Sequence, residues 1–199
     1  MVPREDTTPV RHRPGGRSAR VRVATLAATV DELAAVGYGG FSIESVARRA
    51  GVNKTTIYRR WATAEALVLD AMLERAAERV PVPDTGSLRG DLRELARTAL
   101  ANASAPELEG ILRASASERS RESALAQAAQ RFWAERLVLD GEVVTRAVAR
   151  GEVPPGTDPR LVIEAVLGPP YLRLLLTREP VDEAFIDRVV DLVVSGLRP

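Results

Sequence analysis

The chain has 199 residues, 45% of them hydrophobic and 28% charged, and a formal net charge of +1. It has no cysteine and a single histidine, His12, so disulfides, thiolate metal sites and imidazole clusters are excluded, and neither a metal nor another cofactor is expected. No apolar run is long enough to cross a bilayer and no signal-peptide core opens the chain, so the expected compartment is the cytoplasm, with no membrane partner.

Residues 1–17 carry three prolines, two glycines and four arginines without helical periodicity, and are expected to form a disordered basic arm. A solvated leader is the plainer reading; an arm whose Arg11, Arg13 and Arg17 reach a minor groove is the sharper one. Val23, Leu26, Ala27, Val30, Leu33 and Ala34 recur with the helical period and predict a first helix over 18–36, stopped by Gly37. Ser42 is placed to cap a second helix with Ile43, Val46, Ala47 and Ala50 on one face, and Gly51 stops it. Asn53 caps a third, where Ile57, Trp61 and part of Tyr58 face inward while Lys54, Thr55, Thr56, Arg59 and Arg60 point outward. Two short helices joined by a tight turn, the second basic, have the layout of a helix-turn-helix DNA reader.

Thr63 caps a fourth helix, from Ala64 to about Arg79, with Leu67, Val68, Ala71 and Met72 inward and Pro81 and Pro83 ending it. It leaves the DNA-binding part and enters the body, which makes it the natural mechanical link. Ser87 starts a fifth helix and Pro106 a sixth, to about Ser117. A seventh is expected from about Arg121 to Arg150, an eighth from Asp158 and Pro159, and a ninth from Asp182 to about Leu197. Pro169 and Pro170 predict a kink or break in the eighth. The last two helices are more apolar than a helix wet on one side requires. Leu161, Phe185, Ile186, Val189, Val190, Val193 and Leu197 are therefore expected at a homodimer interface, against the alternative of burial within their own domain. The fold class is all-α: a three-helix DNA-binding domain over 18–62 and a helical ligand-binding and dimerisation bundle over 63–199, about nine helices in all.

The run AGVNKTTIYRRW, with GYGGF at 37–41 before it and ATAEALVLDAM at 62–72 after it, resembles the N-terminal domain of TetR-family transcriptional regulators over residues 20–72. The closing GPPYLRLLLTREPVDEAFIDRVVDLVVSGL resembles the ligand-binding domain of one subgroup. The resemblance implies dimerisation through the last two helices. In two places the chain departs from its relatives. Many members carry a lysine at the start of the fourth helix, expected to meet a DNA phosphate, where this chain has Ala64; the backbone N–H groups behind Thr63 remain available to an anion. Related chains also tend to carry the first of Pro169 and Pro170, with an apolar residue at the second.

Charge placement agrees with a DNA-binding end. Residues 1–61 hold 11 basic and 5 acidic side chains and residues 62–199 hold 17 and 22, so a module of +6 sits on a body of −5. The expected DNA-contacting residues are Ser42, Arg48, Asn53, Lys54, Thr55, Thr56, Tyr58, Arg59, Arg60 and Thr63. Lys54 opposes the helix dipole and sits better beside a phosphate or a guanine than in water; Arg59 and Arg60 suit phosphate or bidentate guanine contacts. Of Arg48 and Arg49, one is expected on phosphate and the other in solvent; Glu44 and Glu65 complement helix N-termini. A merely solvated polar face is the bland alternative for each.

The body shows no catalytic set, since no histidine stands near Ser115, Ser117, Glu118, Asp140 or Glu142 to act as a base. Leu108, Ile111, Leu112, Phe132, Trp133, Leu137 and Tyr171 are candidate walls of a ligand pocket, with plain core as the alternative; Trp133 and Tyr171 stand out for their polar handles. The expected function is a ligand-responsive regulator, a repressor that binds a palindromic operator in double-stranded DNA as a dimer and is released by a small-molecule effector. The alternatives are a helical small-molecule enzyme or carrier with an incidental basic end, and a DNA-binding module without an effector.

Overall fold

The computed structural model describes residues 16–197. The expected basic arm lies outside the described residues except at its end, where Arg17 opens the first helix. The elements in order are α1 (Arg17–Val36), a 3-10 turn (Tyr38–Gly40), α2 (Ile43–Ala50), α3 (Lys54–Arg60), α4 (Ala64–Arg79), α5 (Leu88–Ala103), α6 (Pro106–Ser117), α7 (Ala124–Asp140), α8 (Glu142–Ala149), α9 (Pro159–Leu172), a π-helical turn (Arg173–Thr177) and α10 (Glu183–Gly196). No strand occurs among the described residues.

The capping residues read from the sequence hold the helix ends. Ser42, Asn53, Thr63, Ser87, Asp158 and Asp182 each accept a backbone N–H from the first turn that follows. Three expectations change. The long seventh helix is two, α7 and α8, broken at Gly141, and its start is at the Ser123 cap rather than near Arg121. A Cβ at Gly141 would lie 3.1 Å from the Leu137 carbonyl oxygen and 3.1 Å from the Pro159 Cβ, so the close approach of α9 selects glycine there. Counted as one interrupted helix, α7 and α8 leave the nine expected helices in place. Second, α9 runs unbroken through Pro169 and Pro170, and the irregular turn comes later, at Arg173–Thr177. Val166, Leu167 and Pro170 are buried, so tertiary packing carries the helix past two missing amide donors.

The third change concerns the face of α1. Val23, Ala27 and Ala34 are exposed, while Thr25 and Thr29 are buried beside Leu26 and Leu33. Each threonine hydroxyl donates to the carbonyl four residues back, Thr25 to Val21 at 2.7 Å and Thr29 to Thr25 at 2.9 Å. A short side chain that satisfies its own hydroxyl can be buried almost as a valine would be.

Apolar side chains gather in three clusters. The N-terminal one joins Leu26, Ile43, Val46, Ile57 and Trp61 to Leu67 and Ala71 of α4. A small middle one joins Leu33 of α1 to Val68 and Met72 of α4 and to Leu108 and Ile111 of α6. The large one fills the body between α5, α7, α8, α9 and α10. Successive faces of α4 therefore belong to the DNA-binding core and to its junction with the body. A helix anchored on both sides transmits displacement, because close-packed interfaces shift as units.

The residues expected at the dimer interface fall into two groups. Ile186, Val189 and Val190 are buried in the core of this chain, and Val193 and Leu197 pack against it, so much of the apolar excess of α10 is used internally. Phe185 lies under the guanidinium of Arg173, 3.7 Å from its ring centre. Leu161, 63% exposed, faces outward, as does Leu192 on α10, 76% exposed.

Candidate nucleic-acid interface

The geometry of residues 42–61 follows from its caps and one buried isoleucine. Ser42 Oγ accepts the Ser45 N–H at 3.1 Å and starts α2. Gly51, at φ 65°, takes the left-handed conformation that closes the helix, with its N–H on the Arg48 carbonyl and the Val52 N–H on that of Ala47. Asn53 Oδ1 accepts both the N–H and the hydroxyl of Thr55, at 2.9 and 2.8 Å, and starts α3. With Ile57 fully buried, the helical period puts Thr55, Tyr58 and Arg59 on the opposite, exposed side. Trp61 ends the helix inside the core, and its indole Nε1 donates to Asp70 of α4 at 3.0 Å.

Lys54, Thr55, Tyr58, Arg59 and Arg60 are all exposed and Thr56 half-buried, so of the seven residues of α3 only Ile57 is buried. Tyr58, expected to turn part of its ring inward, is 46% exposed and belongs to none of the three apolar clusters. Arg60 donates to Ser18 Oγ at 3.3 Å and lies over the Trp61 ring, and Lys54 approaches Glu44 to 3.6 Å. These are exposed, weak contacts that a phosphate can replace at little cost. Beside α3 runs an open groove of about 1010 Å³ with Ser18, Arg20, Thr56, Arg59 and Arg60 along it. Arg20 was not among the residues expected to contact DNA. Its place in the groove depends on how α1 crosses α3, which helical periodicity does not encode.

The two arginines of α2 separate. Arg48 is exposed and donates only to Ser45 at 3.0 Å, leaving it free to meet a phosphate. Arg49 instead donates to the buried Glu32 of α1 at 2.6 Å and is committed to the fold. Glu32 is buried beside Thr25, Ala28 and Thr29, where an acid demands a cationic partner, and the apolar pattern of α1 gave no sign of it. Ser42, Asn53 and Thr63 have side-chain oxygens occupied as caps, so what each leaves to a ligand is mainly the backbone it positions. Behind Thr63, whose Oγ1 accepts the Ala66 N–H at 3.2 Å, the first turn of α4 carries Ala64 and offers a phosphate no basic side chain, its one charged residue being Glu65.

Four of the seven candidate pocket residues meet. Ile111, Leu112, Phe132 and Trp133 line a narrow cleft between α4, α6 and α7, together with Val68, Leu69 and Met72. The cleft is tight, with room for the centre of a water-sized sphere in only about 20 Å³. Leu108 belongs to the adjoining middle cluster, Leu137 to the body core, and Tyr171 packs edge-on against Trp133 with ring centres 5.3 Å apart. Burial pushes the Tyr171 hydroxyl up from its ordinary pKa. Each end of α4 has a polar tie near this region. Tyr38 donates its hydroxyl to Glu65 at 3.3 Å, and buried Arg136 donates to the Val80 carbonyl at 3.1 Å while pairing with Asp140. Burial, outweighing Arg136, pushes the Asp140 carboxyl up to about 6.

Comparison with known proteins adds independent support. A family model described as bacterial regulatory proteins, tetR family, matches residues 26–71, and one described as tetracyclin repressor-like, C-terminal domain, matches residues 82–193. The HTH-type transcriptional regulator AqdR of Rhodococcus erythropolis is 34% identical over 181 residues, covering 90% of this chain and 86% of that protein. A DNA-binding transcriptional repressor, TetR, of Mycobacteroides abscessus is also 34% identical over 181 residues, covering 87% of this chain and 92% of that protein. Among solved structures, a TetR family transcription regulator superposes with a TM-score of 0.79 at 31% identity, covering 90% of this chain and all of that one.

Proposed function

The chain belongs to the TetR family of helix-turn-helix transcriptional regulators, and from that premise we propose that it is a dimeric repressor that grips a palindromic operator with its two α3 helices and lets go when a small effector enters the α4–α6–α7 cleft. The observation that carries this reading is the outward surface of α3, with Lys54, Thr55, Tyr58, Arg59 and Arg60 exposed around the buried Ile57. A helix of this length presents about two turns to a major groove, so one copy makes few base contacts and a second copy is needed for specificity.

The dimer face follows from what α9 leaves uncovered. Leu161, Ala165, Gly168 and Leu172 are exposed at helical spacing on α9, and Leu192 is exposed on α10. A stripe of that kind is expected against its own copy, whose small residues let two helices approach closely. Leu161→Arg should then convert the dimer to monomer in sedimentation and abolish operator binding; a variant still dimeric would remove this face from the account. Release requires that effector bind the DNA-incompetent arrangement more tightly than the competent one. Because α4 contributes both to the cleft and to the DNA-binding core, an effector that parts α4 from α6 and α7 alters the spacing of the two α3 helices. The work of such a regulator is on chromosomal DNA, and we place it in the cytoplasm, without enzymatic activity.

The test is a mobility-shift titration with duplexes selected from genomic fragments. Tight, salt-sensitive and sequence-specific binding supports the reading; shallow, sequence-independent binding would favour a helical carrier with a basic end.

A further inference from the structure

The cleft between α4, α6 and α7 is lined by apolar and aromatic side chains, by Ser115 and by a single charged residue, Glu65. Among the described residues no basic side chain is part of its walls. Glu65 stands in the first turn of α4, where its carboxylate accepts the Tyr38 hydroxyl at 3.3 Å. A second carboxylate, Glu118 at the C-terminal end of α6, adds a smaller effect of its charge on Tyr38. Burial first, and then the two acids, push the tyrosine up to about 12. Glu118 also borders a wider outer groove that shares Leu112, Ser115, Ala129 and Trp133 with the cleft; Arg121 and Arg160 lie on that groove, away from the inner walls.

Resting on the effector reading above, we infer that the cleft takes an amphipathic cation, an aromatic or alkyl body carrying an amine or ammonium head, and that the head takes Glu65 away from Tyr38. The body would lie among Val68, Met72, Leu112, Phe132 and Trp133. Burial of an anionic head here costs its hydration and sets it against a like charge, whereas a cation gains an ion pair with Glu65 in a cleft whose walls include two aromatic side chains. The cleft is nearly closed, so any occupant must part α4 from α6 and α7. The Tyr38 contact makes that movement specific to the head group. Tyr38 opens the 3-10 turn that leads from α1 into α2, so the carboxylate that meets the ligand is also a tether of the DNA-binding domain. Competition for one carboxylate is a coupling free energy, and it is reciprocal: operator binding weakens the ligand by the factor by which the ligand weakens operator binding.

Three probes with one apolar body and different heads test this: 4-phenylbutylamine, 4-phenylbutanol and 4-phenylbutyrate, titrated calorimetrically into the full chain, with operator affinity followed by mobility shift on the same samples. The amine is expected to bind about tenfold or more tightly than the carboxylate. Glu65→Gln should abolish that preference while leaving affinity for the alcohol unchanged, which also reports an intact cleft. Tyr38→Phe, which frees the carboxylate, should tighten the amine. Equal affinity of all three probes, a preference that survives Glu65→Gln, or no binding of any of them would overturn the inference. Each of these results with operator binding intact leaves the regulator reading standing, whereas loss of that reading shows separately, as wild-type protein that binds no operator.

Discussion

The indole of Trp61 and the carboxylate of Asp70 are joined by a 3.0 Å hydrogen bond that ties the end of the recognition helix to the middle of α4. The other oxygen of Asp70 accepts from Arg22 of α1 at 2.8 Å, and Arg22 also donates to Glu74 at 2.9 Å. One carboxylate on α4 thus fixes both the reading helix and the helix that supports it. A movement of α4 relative to the body is then expected to carry α3 with it.

Removing that tie should uncouple the two. Asp70→Ala deletes two hydrogen bonds, one of them to a cationic partner, and is expected to cost about 2–3 kcal/mol in urea unfolding. Operator affinity should fall, while probe binding in the α4–α6–α7 cleft stays within about twofold of wild type. An operator affinity unchanged by the substitution would remove Asp70 from the coupling path.

On the outward face, Arg59→Ala and Tyr58→Ala should each weaken operator binding by about 1–3 kcal/mol without changing the unfolding midpoint. If Arg59 meets a phosphate, the slope of log affinity against log salt falls by about one in its variant; if it reads a guanine, sequence discrimination falls instead. Wild-type affinity in both variants would contradict the placement of this face on DNA.

The neighbouring arginines of α2 should behave oppositely. Arg49→Ala leaves buried Glu32 without its 2.6 Å partner and is expected to destabilise the fold by about 2–3 kcal/mol. Arg48→Ala, which loses only an exposed contact to Ser45, should stay within about 0.5 kcal/mol of wild type in unfolding and show its effect in operator binding. Urea titrations of the two variants check this, and equal stability losses would contradict it.

How far the sequence spoke for the structure varied with the kind of signal. Caps and stops are local chemistry, so Ser42, Gly51, Asn53 and Thr63 marked the reading motif to the residue. Burial was less legible wherever a polar side chain satisfied itself or its neighbour. Thr25 and Thr29 face the core on hydroxyl bonds to their own helix, and Glu32 does so on Arg49, so the apolar pattern of α1 found Leu26, Val30 and Leu33 but not these three, and gave Val23, Ala27 and Ala34 in their place. The break at Gly141 was hidden in a helical pattern, and the neighbour that leaves no room for a Cβ there, Pro159, stands on another helix. Which of the body's apolar residues share a cleft depended on helix crossing, and so Ile111, Leu112, Phe132 and Trp133 separated from Leu108, Leu137 and Tyr171 only in three dimensions.

The buried pair in the body makes a pH prediction with an unusual sign. Asp140 has a folded-state pKa raised to about 6 from 3.8, so between about pH 4 and 6 the native chain holds a proton that the unfolded chain releases. Stability therefore falls, through this group, as pH rises across that window. Asp140→Asn, which cannot titrate, should be at its greatest disadvantage near pH 4, and its deficit relative to wild type should shrink toward pH 6 and above. Urea unfolding of both proteins from pH 4 to 7 checks this; a deficit that grows with pH would mean that the pairing with Arg136 outweighs burial.

Two copies of α3, projecting from one dimer, are proposed to read successive turns of duplex DNA. The most direct measurement of this is a mobility-shift titration of wild-type and Arg59→Ala protein on genomically selected duplexes, at several salt concentrations and with the spacing between half-sites varied. The account requires a palindromic site, tight binding only when the half-sites lie one helical turn or a multiple apart, a steep salt slope, and loss of affinity in the variant. Binding that ignores sequence and spacing, or that the variant keeps in full, would contradict it.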